Sequence, residues 1–551
     1  VRQQRVLVLG DAVVPLGGRE TVADGAVVVV GDRVAEVGTR AELECRGPFD
    51  RIVGGSGYLV IPGFVNGHYH TECWTSKGLI GTIFEVSNLF VGAGPPVVKE
   101  EVLELLATWG LVNAAKGGQT TTLDVFYGKP AMDLFGAEPV LRAYERVGLR
   151  TALALSVRDQ NRYAHEPDEV FLSRLPVELA AEVRASPLGY AWPVEEVLTA
   201  FAKLVARWDG RDDRVRLLLA PDWTPACSDE LFRLCRRTAD EFATGLTTHV
   251  LETRSELMWN VETHGKPAVR RLLDLGVLGH DVSFSHFVWA TDEDIRIAGG
   301  EGVNVVSNPG SNLRLSSGIC RVRDLVTAGV PVGFGTDGIS FSDQEDFFQE
   351  LRLAAYLQRQ PDVFSEHRLA SAALLTSAGN AGAGATGYNG RIGRLAAGTF
   401  ADLVVVRTER ILFPPGRYDR TPLLDVLLDR ASAGDIDTVM VGGRTIVERG
   451  RVTTVDEDAL RRRIVELNDQ LYPVDARSSR WGEMAAELLP HAQSIYDRWY
   501  GLPVTSPGSV YNARRPPTPT GSGPTGSGTA SVHPVTRGRS GPALHSVRDP
   551  S

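Results

Sequence analysis

Short apolar runs separated by helical stretches fill the middle of this chain. LVIPGFVNGHYH, TTTLDV, TALALSV, VRLLLAP, GLTTHVLE, VSFSHF, VNVVSNP and VPVGFGTD read as strands. They are rich in Val, Leu, Ile and Thr, and Gly, Pro, Asn or Asp bounds most of them. A stretch with helical spacing follows each run. Eight strand–helix units in regular alternation predict an α/β fold, a (β/α)8 barrel of the TIM type over residues 61–390.

The chain ends carry a different pattern. GAVVVVGDRVAEVG reads as two strands around Gly31-Asp32-Arg33, and DTVMVGGRTIVERGRV as a second hairpin around Gly442-Gly443. Neither piece has enough strands to close a core alone. Residues 1–60 and 391–455 are therefore expected to join in one small β-sandwich. Residues 456–501 read as a C-terminal helical segment, because EDALRRRIVELNDQLY places apolar residues at helical spacing. Residues 502–551 are rich in Pro, Gly, Ser and Thr. Such a composition buries too little apolar surface to offset its ordering entropy, so this tail is expected to be disordered.

Composition narrows the options. The 551 residues are 43% hydrophobic and 23% charged, with a formal net charge of -10. Nothing in that balance argues for nucleic acid or an acidic membrane surface as a partner. No apolar run approaches the roughly 20 residues of a membrane helix. Cys45, Cys73, Cys227, Cys235 and Cys320 are scattered and odd in number, as in a reducing cytoplasm.

Polar residues then stand out at the ends of the apolar runs. His68 and His70 close the first, and residues i and i+2 of a strand share one face. His249 ends the fifth run, His286 the sixth and Asp337 the eighth. Taken singly, His249 and His286 read as core residues with one hydrogen bond, and Asp337 as a helix cap. Taken together, three imidazoles and a carboxylate at strands one, five and eight fit a borderline divalent ion such as zinc. Glu252, three residues past His249, is placed to shuttle protons; its plain alternative is a surface position on the next helix.

PGFVNGHYHTE, HVLET, FSHF, NPGSNLRLSSGI, GTDG and GRLAAGTFADLVVV resemble, as a set, the amidohydrolase superfamily. The likeness is strongest to its chlorohydrolase/deaminase branch of triazine hydrolases and of cytosine, guanine and adenosylhomocysteine deaminases. It covers roughly residues 5–455. The resemblance implies one metal ion, zinc or else iron, held by His68, His70, His249 and Asp337. The fourth strand region, VRLLLAPDWTPACSDE, lacks the bridging lysine of two-metal relatives. The resemblance further makes Glu252 the proton shuttle, makes His286 the group that orients or polarises the atom attacked, and has Asp337 help to orient the water. Asn308 and Asn312 become substrate contacts. Lys77-Gly78 stands where many relatives have Arg-Gly, and NPGSN where they have a Cys-Pro loop.

The expected function is hydrolytic release of ammonia or an amine from an N-heterocycle or amidine through metal-bound hydroxide. The same site would also serve hydrolysis of an amide, urea, cyclic imide or halo-heterocycle. A third reading is a dead barrel used as a scaffold. Trp74 and Trp223 offer aromatic faces for a flat substrate, and Lys77, Asn88, Asp159 and Gln160 offer polar contacts. The expected partner is a small-molecule substrate, with no nucleic acid and no membrane. The resemblance also admits a homo-oligomer.

Overall fold

A computed structural model of the chain describes residues 3–71, 84–85, 99–128, 136–186, 192–338, 341, 345–359, 369–414, 422–467 and 476–500. The first five strands are β1 (Arg5–Val13), β2 (Val22–Val30), β3 (Arg33–Thr39), β4 (Arg51–Gly54) and β5 (Tyr58–Pro62). The next eight are β6 (Phe64–Tyr69), β7 (Gln119–Phe126), β8 (Arg150–Val157), β9 (Val215–Pro221), β10 (Leu246–Val250), β11 (Val282–His286), β12 (Asn304–Ser307) and β13 (Val332–Phe334). Four follow late: β14 (Leu403–Arg407), β15 (Ile436–Val441), β16 (Arg444–Glu448) and β17 (Arg451–Val452). Strands β6 to β13 close a parallel barrel in chain order, as the eight-fold alternation predicts.

Both faces of the barrel wall are apolar, which is why its strands read as continuous runs. Leu123, Val125, Ala152, Ala154, Leu218, Ala220 and Val306 form a cluster with Ala385. The alternate residues Leu153, Leu155, Leu217 and Leu219 join the large core that includes Val140, Phe201 and Phe232. Each fully buried large side chain of this kind stabilises by about 1.5–3 kcal/mol relative to exposure.

The β-rich unit expected from both chain ends is a nine-stranded, mostly antiparallel sheet. Its strands run β17-β16-β15-β14-β5-β1-β2-β3, with β4 beside β1. Alternation gives it two apolar faces: Val6, Val8, Val27, Val29, Leu403 and Val405 in one cluster, Leu7, Leu9, Ala26, Val28 and Leu43 in another. The run LVIPGFVNGHYH, read as one strand, divides at Gly63 between this sheet and the barrel. A side chain there would meet Thr120 at 2.2 Å, so only glycine allows the crossing.

Arg150 at the start of β8 ties the two sheets together. Its Nε and Nη2 donate to the Asp402 carboxylate at 3.1 and 3.2 Å, and both side chains are buried. Asp402 also accepts from the Gly442 amide. That accounts for the aspartate inside the apolar motif TFADLVVV.

Three helices matter below: α1 (Arg254–His264) after β10, α2 (Glu457–Glu466) and α3 (Ala476–Tyr500). The last two fall within the expected C-terminal helical segment. Residues 502–551, read as a tail, lie outside the described residues. Among the described residues no helix is long and apolar enough to cross a membrane.

Candidate active site

The barrel brings His68, His70, His249, His286, Asp337 and Glu252 to one place at the C-terminal ends of its strands, and each is at most 5% exposed. His68 Nε2 lies 3.2 Å and His70 Nε2 3.3 Å from Asp337 Oδ1, and His249 Nε2 lies 3.4 Å from His70 Nε2. Donors about 2.1 Å from a tetrahedral ion stand about 3.4 Å apart, so the spacing is that of one shared ion.

The tautomers agree. Nδ1 of His70 donates to the Val125 carbonyl at 2.8 Å, and Nδ1 of His249 to the Asp222 carbonyl at 2.7 Å. Both Nε2 atoms therefore carry lone pairs, and they face each other. Two lone pairs at that distance repel unless a cation sits between them. Nε2 of His68 is buried and makes no hydrogen bond among the described residues, while its Nδ1 meets Ser285 Oγ at 2.9 Å. Burial, with His68 adding to it, brings His70 down to about 3, and burial holds His68 well below its usual range. Neutral imidazole is the form that binds metal. These residues fit a divalent ion on their own geometry.

Backbone strain helps to aim them. His286 has φ 71 and Asp337 φ 60, in the left-handed region that non-glycine residues avoid. Such residues cost about 1–3 kcal/mol each and persist where packing over-determines them. Asp337 Oδ2 accepts from the Ser311 hydroxyl. His286 Nδ1 donates to Asn312 Oδ1 at 2.8 Å, and Asn308 Nδ2 lies 3.3 Å from the same nitrogen. The two asparagines of NPGSN thus touch His286 directly.

Glu252 precedes α1 and is 1% exposed, so the surface reading of this residue fails. Its Oε1 lies 3.5 Å from the Ser317 hydroxyl and 3.7 Å from His286 Nδ1, and its Oε2 is buried with no hydrogen-bond partner among the described residues. Burial, then the charges of Asp337, Glu256 and Glu85, pushes this carboxyl well above the usual range. Its backbone amide donates to Glu256 Oε2 at 2.9 Å.

Other sequence candidates fall elsewhere. Asp159 accepts from the amide and hydroxyl of Ser228, and Gln160 donates to the Pro225 carbonyl. Trp223 packs against Phe84 and His165, and its backbone pairs with His249. Trp74, Lys77 and Asn88 lie outside the described residues.

The sequence reading missed the residues that hold the others. Asn66 Nδ2 donates to Gln119 Oε1 and Thr336 Oγ1, both at 2.9 Å. Its Oδ1 accepts from the amides of His68 and Thr336 at 3.3 and 3.2 Å. Asn66 thereby clamps the His68 strand to the turn before Asp337. Asp124 accepts from the amide of Thr71 at 3.1 Å and from Tyr144 at 3.0 Å, bracing the chain just past His70. A buried-strand asparagine inside FVNGHYH was the available signal for the first of these.

Known proteins resemble this chain at low identity. A 5'-deoxyadenosine deaminase of Methanobrevibacter smithii is 28% identical over 454 residues, 81% of this chain and 94% of that protein. A 5-methylthioadenosine/S-adenosylhomocysteine deaminase of Syntrophomonas wolfei is 27% identical over 460 residues, 82% of this chain and 96% of its own. The zinc-bound crystal structure of an adenosine deaminase from Xanthomonas campestris superposes with a TM-score of 0.70 at 23% identity, covering 85% of this chain and 99% of that one. The model of the Amidohydrolase family matches residues 59–446, from the strand that leads into the barrel to the hairpin beyond it. That span holds every barrel strand and every side chain of the histidine cluster, and the chain belongs to the amidohydrolase family.

Proposed function

We propose that the protein is a zinc-dependent hydrolytic deaminase that releases ammonia from an aminated N-heterocycle of the adenine nucleoside type. The observation that carries this reading is a buried Glu252 oxygen, unpartnered among the described residues, beside four donors at ion-sharing distance. His68, His70, His249 and Asp337 would hold the ion. Bound there, a divalent ion supplies Lewis acidity that brings the pKa of water from about 15.7 toward about 7. The deaminases named above act on adenine compounds, which sets the first substrates to try.

Glu252 accepts one proton from the attacking water and later delivers it to the leaving nitrogen, so a C–O bond forms, a C–N bond breaks and ammonia departs. His286 is brought down to about 3, mainly by burial, and stays neutral. With Nδ1 committed to Asn312, it offers Nε2 as the acceptor that orients the water. Asp337, fixed by Ser311, keeps its second oxygen out of the reaction. The two asparagines set the His286 ring and so act through it.

The test is ammonia release by zinc-loaded protein from 5'-deoxyadenosine, adenosine, guanine, cytosine and a triazine, run beside Glu252→Gln. Release by the wild type, lost at least about a hundredfold in the variant at equal metal content, supports the reading. No release from any of them, with one metal bound per chain, moves the reading to amide, imide or halide hydrolysis.

A further inference from the structure

The C-terminal helix does more than cover apolar surface. Met484, Leu488, Ala492, Ile495, Tyr496 and Trp499 already bury its inner face against Tyr163, Phe171, Val183 and Trp259. Its last described residue, Tyr500, adds something different. The Tyr500 hydroxyl donates to Glu85 Oε1 at 3.0 Å, across 415 positions of sequence. Ser255 on α1, three residues past Glu252, donates to the same oxygen. Burial above all, then the charge of Glu85, keeps the Tyr500 hydroxyl protonated and therefore a donor.

Glu85 is 3% exposed, and its Oε2 has no hydrogen-bond partner among the described residues. A buried carboxylate held on one oxygen and free on the other is costly without a ligand. A second unpartnered group stands in the same wall. His165 is 1% exposed, with both ring nitrogens buried and partnerless among the described residues. Its ring lies 5.1 Å from Tyr496 and 5.8 Å from Trp499 of α3, and 4.7 Å from Trp223, the residue whose backbone pairs with His249. Phe84, next to Glu85, meets Trp223 on the other side at 5.2 Å.

We propose that α3 is a wall of the active site and that Tyr500 is a positioning residue, acting through Glu85 to hold the substrate beside Glu252. This rests on the deaminase reading. The hydroxyl of Tyr500 fixes one oxygen of Glu85, which leaves the other aimed for a donor on the substrate. The chemistry at the reacting carbon is left to Glu252 and the histidines. Loss of the hydroxyl therefore weakens binding and spares turnover.

The experiment compares wild type, Tyr500→Phe, Glu85→Gln, the double variant and Arg480→Ala as zinc-loaded full-length proteins, with 5'-deoxyadenosine as the probe. Arg480 holds the far end of α3 to Glu182 at 2.7 and 2.6 Å and serves as the control for loosened docking. Tyr500→Phe is expected to raise KM about tenfold, with kcat within about twofold and metal content unchanged. Arg480→Ala is expected to keep the wild-type KM. In the double variant, Tyr500→Phe is expected to add less than about twofold to the effect of Glu85→Gln. A wild-type KM in Tyr500→Phe overturns the proposal. So does an equal rise in Arg480→Ala, or full additivity in the double variant. A wild type inert toward the probe and toward adenosine overturns the adenine-nucleoside reading instead, and this inference with it.

Discussion

Replacing Asn66 by alanine should loosen the metal site without touching a single donor. Asn66 is fully buried, and its side chain makes four hydrogen bonds: two given, to Gln119 and Thr336, and two received, from the amides of His68 and Thr336. Thr336 Oγ1, which accepts from Asn66, still donates its own proton to Glu345 Oε2 at 2.9 Å, so it stays satisfied. The two amides lose the acceptor that joins them. An orphaned buried donor costs about 1–3 kcal/mol, which puts the pair at about 2–6 kcal/mol. The functional effect follows from position. The two amides belong to His68 itself and to the residue before Asp337, so both halves of the 3.2 Å His68–Asp337 contact lose their common brace. Outer partners of metal ligands are typically worth about 10–100-fold in metal affinity. Zinc competition against a chromophoric chelator reads the affinity, and denaturant unfolding of the metal-free protein reads the stability. A variant that binds zinc within about threefold of wild type, at wild-type stability, would refute the bracing role.

Further outcomes are expected. His286→Asn should lower kcat by about 100–1,000-fold while one metal per chain remains, as measured by turnover and metal analysis together; loss of the metal would instead make His286 a ligand. Metal-free protein should lose stability as pH falls from about 6.5 toward about 3, because His70 takes up its proton near 6.5 when unfolded but only at about 3 when folded. Thermal melts across that window should show the slope, and His70→Asn should flatten it. Glu350 acts in the opposite sense: burial pushes it up to about 8 from 4.5, so its contribution is present below about 4.5 and lost as pH rises through about 8. Glu350→Gln should therefore gain on the wild type in melts above pH 8. Asp402→Ala strands the buried Arg150 guanidinium and should cost about 3–5 kcal/mol in urea unfolding, whereas breaking the exposed pair of Arg451 and Asp458 should leave the unfolding midpoint at its wild-type value.

Much of this molecule is written locally. The barrel follows from runs such as TALALSV and VRLLLAP, because a strand with both faces buried must be apolar throughout, and that pattern is complete within eight residues or so. The candidate site is legible for a related reason. A polar residue closing an apolar run is expensive, and five such residues, each ending a barrel strand or lying just past one, share one need. Glu252 was legible by its spacing from His249.

What tertiary structure alone decided is how those groups are held and what surrounds them. His70 and His249 take their tautomers from the carbonyls of Val125 and Asp222, and a backbone acceptor has no sequence signature. Asn66 meets Thr336 across 270 positions, Arg150 meets Asp402 across 252, and Tyr500 meets Glu85 across 415. The division of LVIPGFVNGHYH between two sheets depends on Thr120 crowding Gly63. Hydrophobic periodicity is a property of neighbours along the chain and survives without the fold. A hydrogen bond between distant segments exists only once barrel closure fixes the register, so the sequence determined which polar groups stand at the strand ends, and the closed barrel decided which groups hold them.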